Sequence, residues 1–286
     1  MHERLFLVDC GEGAQIQLRK YKLSFGKINH ILISHLHGDH IFGLFGLLSS
    51  YRLLDRKTDL HIYANPRLKT ILDEHHKHFY ETPFPFSIIF HPVGSKKKQM
   101  IYEDEAAEIF TIPLKHSIPS CGFLFREKPP LLNLRKDMIE FHKVPVEERV
   151  NIKKGADFIN EKGERIANTI LTLPPRKPRS MAICSDTKYT ESILDQISDV
   201  DLLYHEATFL ENIREIAEER FHSTAKQAGM LARKANAGKL VIGHFSSRYT
   251  TADPLVNEAR EEFPETYSAE EGDCHRIEQT RQPESS

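Results

Sequence analysis

The chain predicts an α/β protein, and three observations carry that reading. Short apolar runs alternate with helical patterns along most of its 286 residues. Several runs are nearly unbroken, as in strands buried on both faces. Four of them lead directly into histidine or aspartate. Open α/β folds hold their ligands there, just beyond strand C-termini.

The elements follow in order. Residues 4–10 (RLFLVDC) read as a strand closed by a turn at Gly11-Glu12-Gly13. Residues 28–34 (INHILIS) form a second strand, and residues 41–54 an apolar helix. Strand, helix and strand are then predicted at 59–64, 67–79 and 87–93. Strands at 107–114 and 121–126 flank the loop Lys115-His116-Ser117-Ile118-Pro119-Ser120. Periodicity weakens over 127–179. Prolines cluster at both ends of that stretch, and Glu161-Lys162-Gly163 marks a turn inside it. It reads as an insertion protruding from the body.

Alternation resumes with a strand at 180–185, a helix at 190–197 and a strand at 200–205. Thr224-x-x-Gln227 is a capping box opening a helix over 224–236. A strand at 239–243 ends at His244, and the last helix takes Asp253 as N-cap and Pro254 at N1. The polar stretch after Tyr267 reads as a mobile tail. The expected organisation is a body of 1–126 and 180–267, an arm of 127–179 and a tail of 268–286.

Composition narrows the class. Hydrophobic residues make up 40% and charged residues 28%, which is globular rather than disordered. No apolar run approaches the ~20 residues of a membrane span. The opening Met1-His2-Glu3-Arg4 lacks the pattern of a secretory signal. Cys10, Cys121, Cys184 and Cys274 form no C-x-x-C pair, which points to a reducing cytoplasm without disulfides or cysteine-bound zinc. Net charge is −2, yet residues 115–180 hold fourteen Lys/Arg against eight Asp/Glu. Such a segment is either a phosphate-binding surface or an ordinary solvated insertion.

The chemistry concentrates in His35-Leu36-His37-Gly38-Asp39-His40. In an extended chain His35 and His37 point the same way. Asp39 and His40 follow at a turn, where they can face a second ion. Imidazole and carboxylate suit zinc, and two zincs roughly 3.5–4 Å apart activate a water for hydrolysis. The competing reading is a histidine-rich surface turn. His116, Asp186 and His244 each follow an apolar strand. We assign His35, His37 and His116 to one ion and Asp39, His40 and His244 to the other. Asp186 bridges, because a carboxylate offers two oxygens. Asp39 doubles as the group that holds or receives the water's proton. His222 precedes a capped helix whose free amides would attract phosphate; its imidazolium can stabilise an oxyanion or protonate a leaving oxygen. Glu206 can orient His222. His205 is left as a supporting or structural residue. Lys96-Lys97-Lys98 reads as an exposed loop.

These residues carry a resemblance. His35-x-His37-x-Asp39-His40 is similar to the metal motif of the metallo-β-lactamase superfamily. The run from Ser34 to Leu44 and Gly46-Leu47-Leu48 resembles the ribonuclease Z family. So do Lys115 to Ser120, Ser185-Asp186-Thr187, His205-Glu206-Ala207-Thr208-Phe209, His222-Ser223-Thr224-Ala225 and Gly243 to Tyr249. Pro175 to Arg179 looks like that family's basic motif. The resemblance implies an αββα sandwich, two zinc ions, a homodimer and cleavage of precursor tRNA past the discriminator base, leaving a 3′-hydroxyl. It implies that 127–179 grips the tRNA, and that His222 and Glu206 assist catalysis. The chain opens at what resembles the family's third strand, so a bared sheet edge is expected. The arm also lacks the family's Gly-Pro turn near Val144-Pro145-Val146. Two alternatives remain: another phosphodiesterase of the same fold, or an inactive tRNA-binding fragment with structural zinc.

Overall fold

The computed structural model describes residues 4–279. Residues 1–3 and the last part of the expected tail lie outside the described residues. The rest divides into two compact units: 4–126 with 180–275, and 127–179 with 276–279.

The first unit begins with a parallel sheet of β1 (Leu5–Val8), β2 (Ile28–Leu32), β3 (Leu60–Ala64) and β4 (Ile88–Pro92), in that order. Parallel neighbours need crossovers. Here α1 (Ala14–Lys20), α2 (Gly38–Leu53) and α3 (Arg67–Phe79) lie in the three connections. The chain then enters a second sheet with β5 (Met100–Glu103), β6 (Ala107–Pro113) and β7 (Cys121–Glu127).

The second unit follows. β8 (Asn133–Leu134) pairs antiparallel with β11 (Thr172–Leu173), and β9 (Phe158–Ile159) with β10 (Arg165–Ile166). Between them lie α4 (Lys136–Phe141), α5 (Arg149–Lys153) and α6 (Asn168–Leu171). Ile139, Val144, Ile152, Phe158, Ile166 and Leu171 form its own small core. The weak periodicity of this stretch therefore hides real structure: its elements are too short to show a period. Where a Gly-Pro turn was missing, Lys143 takes φ +52° and Val144 N donates to Ile139 O, closing α4 without glycine. Arg179 Nη2 donates to Glu127 Oε1 at 2.6 Å, joining the two ends of 127–179.

The chain returns to the first unit as β12 (Ser180–Cys184), α7 (Leu194–Ile197), β13 (Leu202–Glu206), α8 (Arg214–Glu219), α9 (Ala225–Lys234), β14 (Leu240–Gly243), α10 (Asp253–Glu262) and β15 (Thr266–Ser268). The second sheet has the order β15-β14-β13-β12-β7-β6-β5.

Three apolar clusters define four layers in this unit. Leu44, Leu47 and Leu68 pack helices on the small sheet's Ile31 and Ile62. Leu32, Tyr63, Ile109, Phe123 and Phe125 fill the space between the sheets. Leu203 and Ile242 of the large sheet carry Ala228, Leu231 and Leu255 of α9 and α10. The result is the αββα sandwich.

Several expectations shift. α2 starts at Gly38, so Asp39 and His40 occupy a first helical turn rather than a loop. Ala252, not Asp253, is the N-cap of α10, and no side chain caps it. The segment after Tyr267 is not free of the body: Ala269 N donates to Ile242 O, and Tyr21 Oη to Glu271 O.

Two glycines let the turn after β1 dock on α2. A Cβ on Gly43 would lie 1.9 Å from Gly11 O, and one on Gly11 would lie 2.1 Å from Asp39 O. Cys10 N donates to His40 O at 2.8 Å across that contact. Gly43→Ala gains up to about 1 kcal/mol of helix propensity, but overpacking of this kind typically costs about 1–3 kcal/mol. We expect a melting temperature lower by several degrees. Gly26→Ala, where a Cβ meets nothing within 4 Å, is the control. Equal melting of both variants would disprove the docking argument.

Candidate metal centre

Both sheets deliver residues to one end of the sandwich. β2 leads through Ile33 and Ser34 to His35. His37 is the N-cap of α2, with extended backbone (φ −69°, ψ 151°) and no capping bond from its side chain. Its ring is thereby available to the centre. His116 follows β6, and Asp186 lies just past β12. His244 follows β14 with φ +60°. That left-handed backbone costs a non-glycine residue roughly 1–2 kcal/mol, the kind of strain that collects at functional sites.

All seven residues come together, in two groups of donor atoms. In the first, His37 Nδ1 lies 3.0 Å from His35 Nε2 and 3.1 Å from His116 Nε2. Asp186 Oδ2 is 3.6 Å from His35 Nε2 and 3.9 Å from His116 Nε2. In the second, Asp39 Oδ2 is 3.4 Å from His40 Nε2 and 3.7 Å from His244 Nε2. Asp186 Oδ1 is 3.6 Å and 3.3 Å from the same two nitrogens. One carboxylate thus faces both groups.

The surrounding hydrogen bonds fix which nitrogen of each ring carries a lone pair. His116 Nδ1 lies 3.1 Å from Phe221 O, which only accepts, so Nδ1 holds the proton. His40 Nδ1 donates to Asp9 Oδ2 at 2.8 Å. Ser34 Oγ also donates to Asp9 Oδ2, at 2.8 Å, and so accepts from His35 Nδ1 at 2.9 Å. Thr208 Oγ1 donates to Glu206 Oε2 at 2.7 Å and accepts from His244 Nδ1 at 3.0 Å. Four Nε2 atoms are left facing inward. Outer partners of this kind orient metal-binding histidines. His40 Nε2 and Asp186 Oδ1 are buried with no hydrogen-bond partner. Buried polar atoms are normally satisfied, and a cation between them would satisfy both.

Electrostatics agree with that fit. Burial, helped by nearby His40, pushes the His35 pKa down to about 3. Burial also lowers His116. Burial opposes charge on His40, but the Asp186 and Asp9 carboxylates outweigh it and lift its pKa to about 10. Burial would raise Asp186, yet His40 and His244 hold it well below the ordinary carboxylate range. Without a cation the pocket therefore draws a proton onto His40 beside Asp186, and a bound cation would take that proton's place.

His222 stands next to the second group. Its Nδ1 is 2.8 Å from Glu206 Oε1, and its ring stacks on His244 at 5.4 Å. Burial disfavours its protonation, but Glu206, Asp186 and Asp39 raise its pKa overall. Glu206 is fully buried and accepts also from Thr187 N. His205 is buried and its ring bonds the Glu206 carbonyl, a structural role. The expected free amides of α9 are not free. Ala225 N donates to Phe209 O, Lys226 N to Glu258 Oε1 and Gln227 N to Thr224 Oγ1. The capping box is present, and it fills the helix terminus. A cavity of about 520 Å³ opens beside Asp39, His40 and His244, with Met181, Ile183 and Tyr204 among its lining.

The comparisons fit this geometry. The chain is 47% identical over 274 residues to a ribonuclease Z of Bacteroides fragilis, covering 96% of this chain and 90% of the relative. The chain belongs to the ribonuclease Z family. The crystal structure of human tRNase Z, short form, superposes with TM-score 0.66 at 25% identity, over 96% of this chain and 88% of that one. YhfI of Bacillus subtilis, a metallo-β-lactamase fold protein, matches with TM-score 0.62 at 18% identity, over 95% and 87%; it supports the fold alone. Residues 1–132 also match the family model described as anti-Pycsar protein Apyc1.

For a ribonuclease Z, three residues were missed by sequence reasoning: Asp9, Ser34 and Thr208. Asp9 looked like the end of a strand. It takes φ +57° and accepts from Ser34 N, Ser34 Oγ and His40 Nδ1. An acid between an apolar run and a glycine turn was the only available signal. Asp9→Asn should weaken zinc binding to metal-stripped protein by about 10–100-fold. Calorimetric titration reads this directly, and an unchanged affinity would remove Asp9 from the site.

Proposed function

We propose that the chain is a dinuclear zinc endoribonuclease that removes the 3′ trailer of precursor tRNA and leaves a 3′-hydroxyl. The observation that carries the reading is the Asp186 carboxylate, with Oδ2 toward the His35 and His116 nitrogens and Oδ1 toward those of His40 and His244. His35, His37, His116 and Asp186 would hold one ion; Asp39, His40, His244 and Asp186 the other. Imidazoles and carboxylates without cysteine suit zinc with open positions. When bound, a zinc pair lowers the pKa of water and offsets charge on a phosphate in displacement.

The protein's own groups do the rest. Asp39, the most exposed of the four carboxylate and histidine side chains around the second group, holds or accepts the proton of the attacking water. His222 is kept protonated by Glu206 and gives its proton to the departing 3′-oxygen. The P–O3′ bond breaks, so the trailer keeps the phosphate. His222, Asp186 and His244 also converge closely enough to hold an ion. An imidazolium has no lone pair to offer, and the Glu206 pairing favours the donor role.

The basic arm would hold the tRNA body; Lys154 and Arg176 are exposed there. A second copy of the chain would cover apolar side chains on α1, α2 and α3, where Ile16, Phe42, Leu53 and Phe79 are 62–83% exposed. Four free cysteines fit a cytoplasmic setting. Among the described residues no helix is long and apolar enough to cross a membrane.

The test is a labelled precursor tRNA, with and without chelator, and the cut mapped to one nucleotide. We expect cleavage past the discriminator base, abolished by chelation, and His222→Ala slower by about 10²–10⁴-fold. Hydrolysis of bis(p-nitrophenyl) phosphate without tRNA cleavage would sink the substrate assignment. Charge reversal at Lys153, Lys154 and Arg176 should raise KM without altering metal content and flatten the salt dependence. An unchanged KM removes the arm from binding, and sedimentation as a monomer removes the second copy.

A further inference from the structure

The edge shared by the two sheets carries a charge cluster that the chemistry above leaves unused. β4 ends the small sheet and β5 borders the large one. Residues 93–99 cross between them and include Lys96, Lys97 and Lys98, all exposed. Among the described residues none of the three is in an ion pair. Lys98 Nζ lies 4.7 Å from the centroid of the Phe110 ring. Beside them runs a groove of about 660 Å³, walled by Pro66, Pro92 and Pro119.

The loop is held in place. Gln99 N donates to Thr111 Oγ1 at 2.9 Å, Thr111 Oγ1 to Lys97 O at 3.1 Å, and Thr111 N to Gln99 O at 2.8 Å. Thr111 is fully buried in β6. A flexible surface loop would not be bonded on both sides of a buried hydroxyl. The lysines therefore present charge from a fixed platform.

The groove also adjoins the metal centre. Pro119 and His116 belong to one short loop after β6. His116 Nε2 points into the first donor group. The chain from Thr111 to His116 spans at most roughly 17 Å, at about 3.3 Å per extended residue. Three unpaired ammonium groups in a row match a succession of phosphates. The three lysines lie on one loop along one side of the groove, which matches one backbone rather than the two a duplex carries across a groove about 12 Å wide.

The geometry points to this groove as the path of the unpaired 3′ trailer as it leaves the scissile bond. The inference rests on the precursor-tRNA reading and extends it to the trailer side of the cut. A stacked strand rises about 3.4 Å per nucleotide, so the backbone span from His116 to Thr111, which holds the lysine loop, is covered by about five nucleotides at most.

The test compares the full chain with a variant carrying Lys96→Ala, Lys97→Ala and Lys98→Ala. Precursors would have trailers of about two and about fifteen nucleotides, either side of the expected reach. The variant should show KM raised about tenfold on the long trailer, with kcat, melting temperature and zinc content unchanged. Its KM on the short trailer should match that of the parent. The salt slope for the long trailer should fall by roughly two, at about 0.7 per single-strand contact. Equal KM changes at both lengths would assign the lysines to the tRNA body and overturn the inference. No change at either length would overturn it too. Anisotropy of a labelled single-stranded RNA of trailer sequence separates the two readings. Lysine-dependent binding by a chain that does not cut precursor tRNA would defeat the function and keep the groove. Lysine-independent binding beside normal cleavage would do the reverse.

Discussion

The structure turns on one buried carboxylate. Asp186 is 3% exposed, and a charge in such a place costs several kcal/mol unless it is answered. Its answer is split: histidines of one group face Oδ2, and those of the other face Oδ1. Burial keeps the His35 and His116 rings neutral, so the charge that answers Asp186 sits on His40. The outer hydrogen bonds matter for the same reason. Asp9, Ser34, Phe221 and Thr208 each engage the far nitrogen of a ring, which leaves the near nitrogen beside the carboxylate to bind a cation. A ring flipped the other way would present N–H to the centre and repel a cation.

That arrangement makes the centre a product of packing between sheets. His35, His37, Asp39 and His40 come from the small-sheet side; His116, Asp186 and His244 come from the large sheet. Their separations of 3–4 Å survive only if Leu32 and Tyr63 keep register on Ile109 and Phe123. The turn after β1 adds a second constraint. It carries Asp9 to His40, and the glycine contact with α2 sets how near it comes. A one-methyl error in that contact is felt at a donor atom, so stability and metal geometry are coupled here.

How much of this the sequence disclosed follows from range of interaction. Most strands of the body, the capping box and the His35–His40 run are local patterns and were legible; the short edge strands β5 and β15 were not. The seven positions were named from residue types at strand ends, and the structure brings them within a few ångströms. What stayed hidden depends on distant partners. Asp9 has meaning only through Ser34 and His40, which lie 25 and 31 residues away. Helix 224–236 looked like a phosphate site because Glu258 and Phe209, which occupy its amides, are remote in sequence. The arm's core was hidden because two-residue strands have no period, and the polar tail concealed a pairing of Ser268 with Ile242.

The occupied end of α9 bears on the chemistry. With its first-turn amides taken, that helix cannot itself cradle a phosphate. Positive charge on this side of the centre then comes from side chains, and the His222 ring stacks on His244 there. Its charge is set by Glu206, a buried acid that takes four hydrogen bonds, from Thr187 N, Thr208 N, Thr208 Oγ1 and His222. Thr208 in turn orients His244. His222 and His244 therefore share one buried anion, the first directly and the second through the Thr208 hydroxyl. A shift of Glu206 moves both, so His222 is positioned by the same bonds that shape the second donor group.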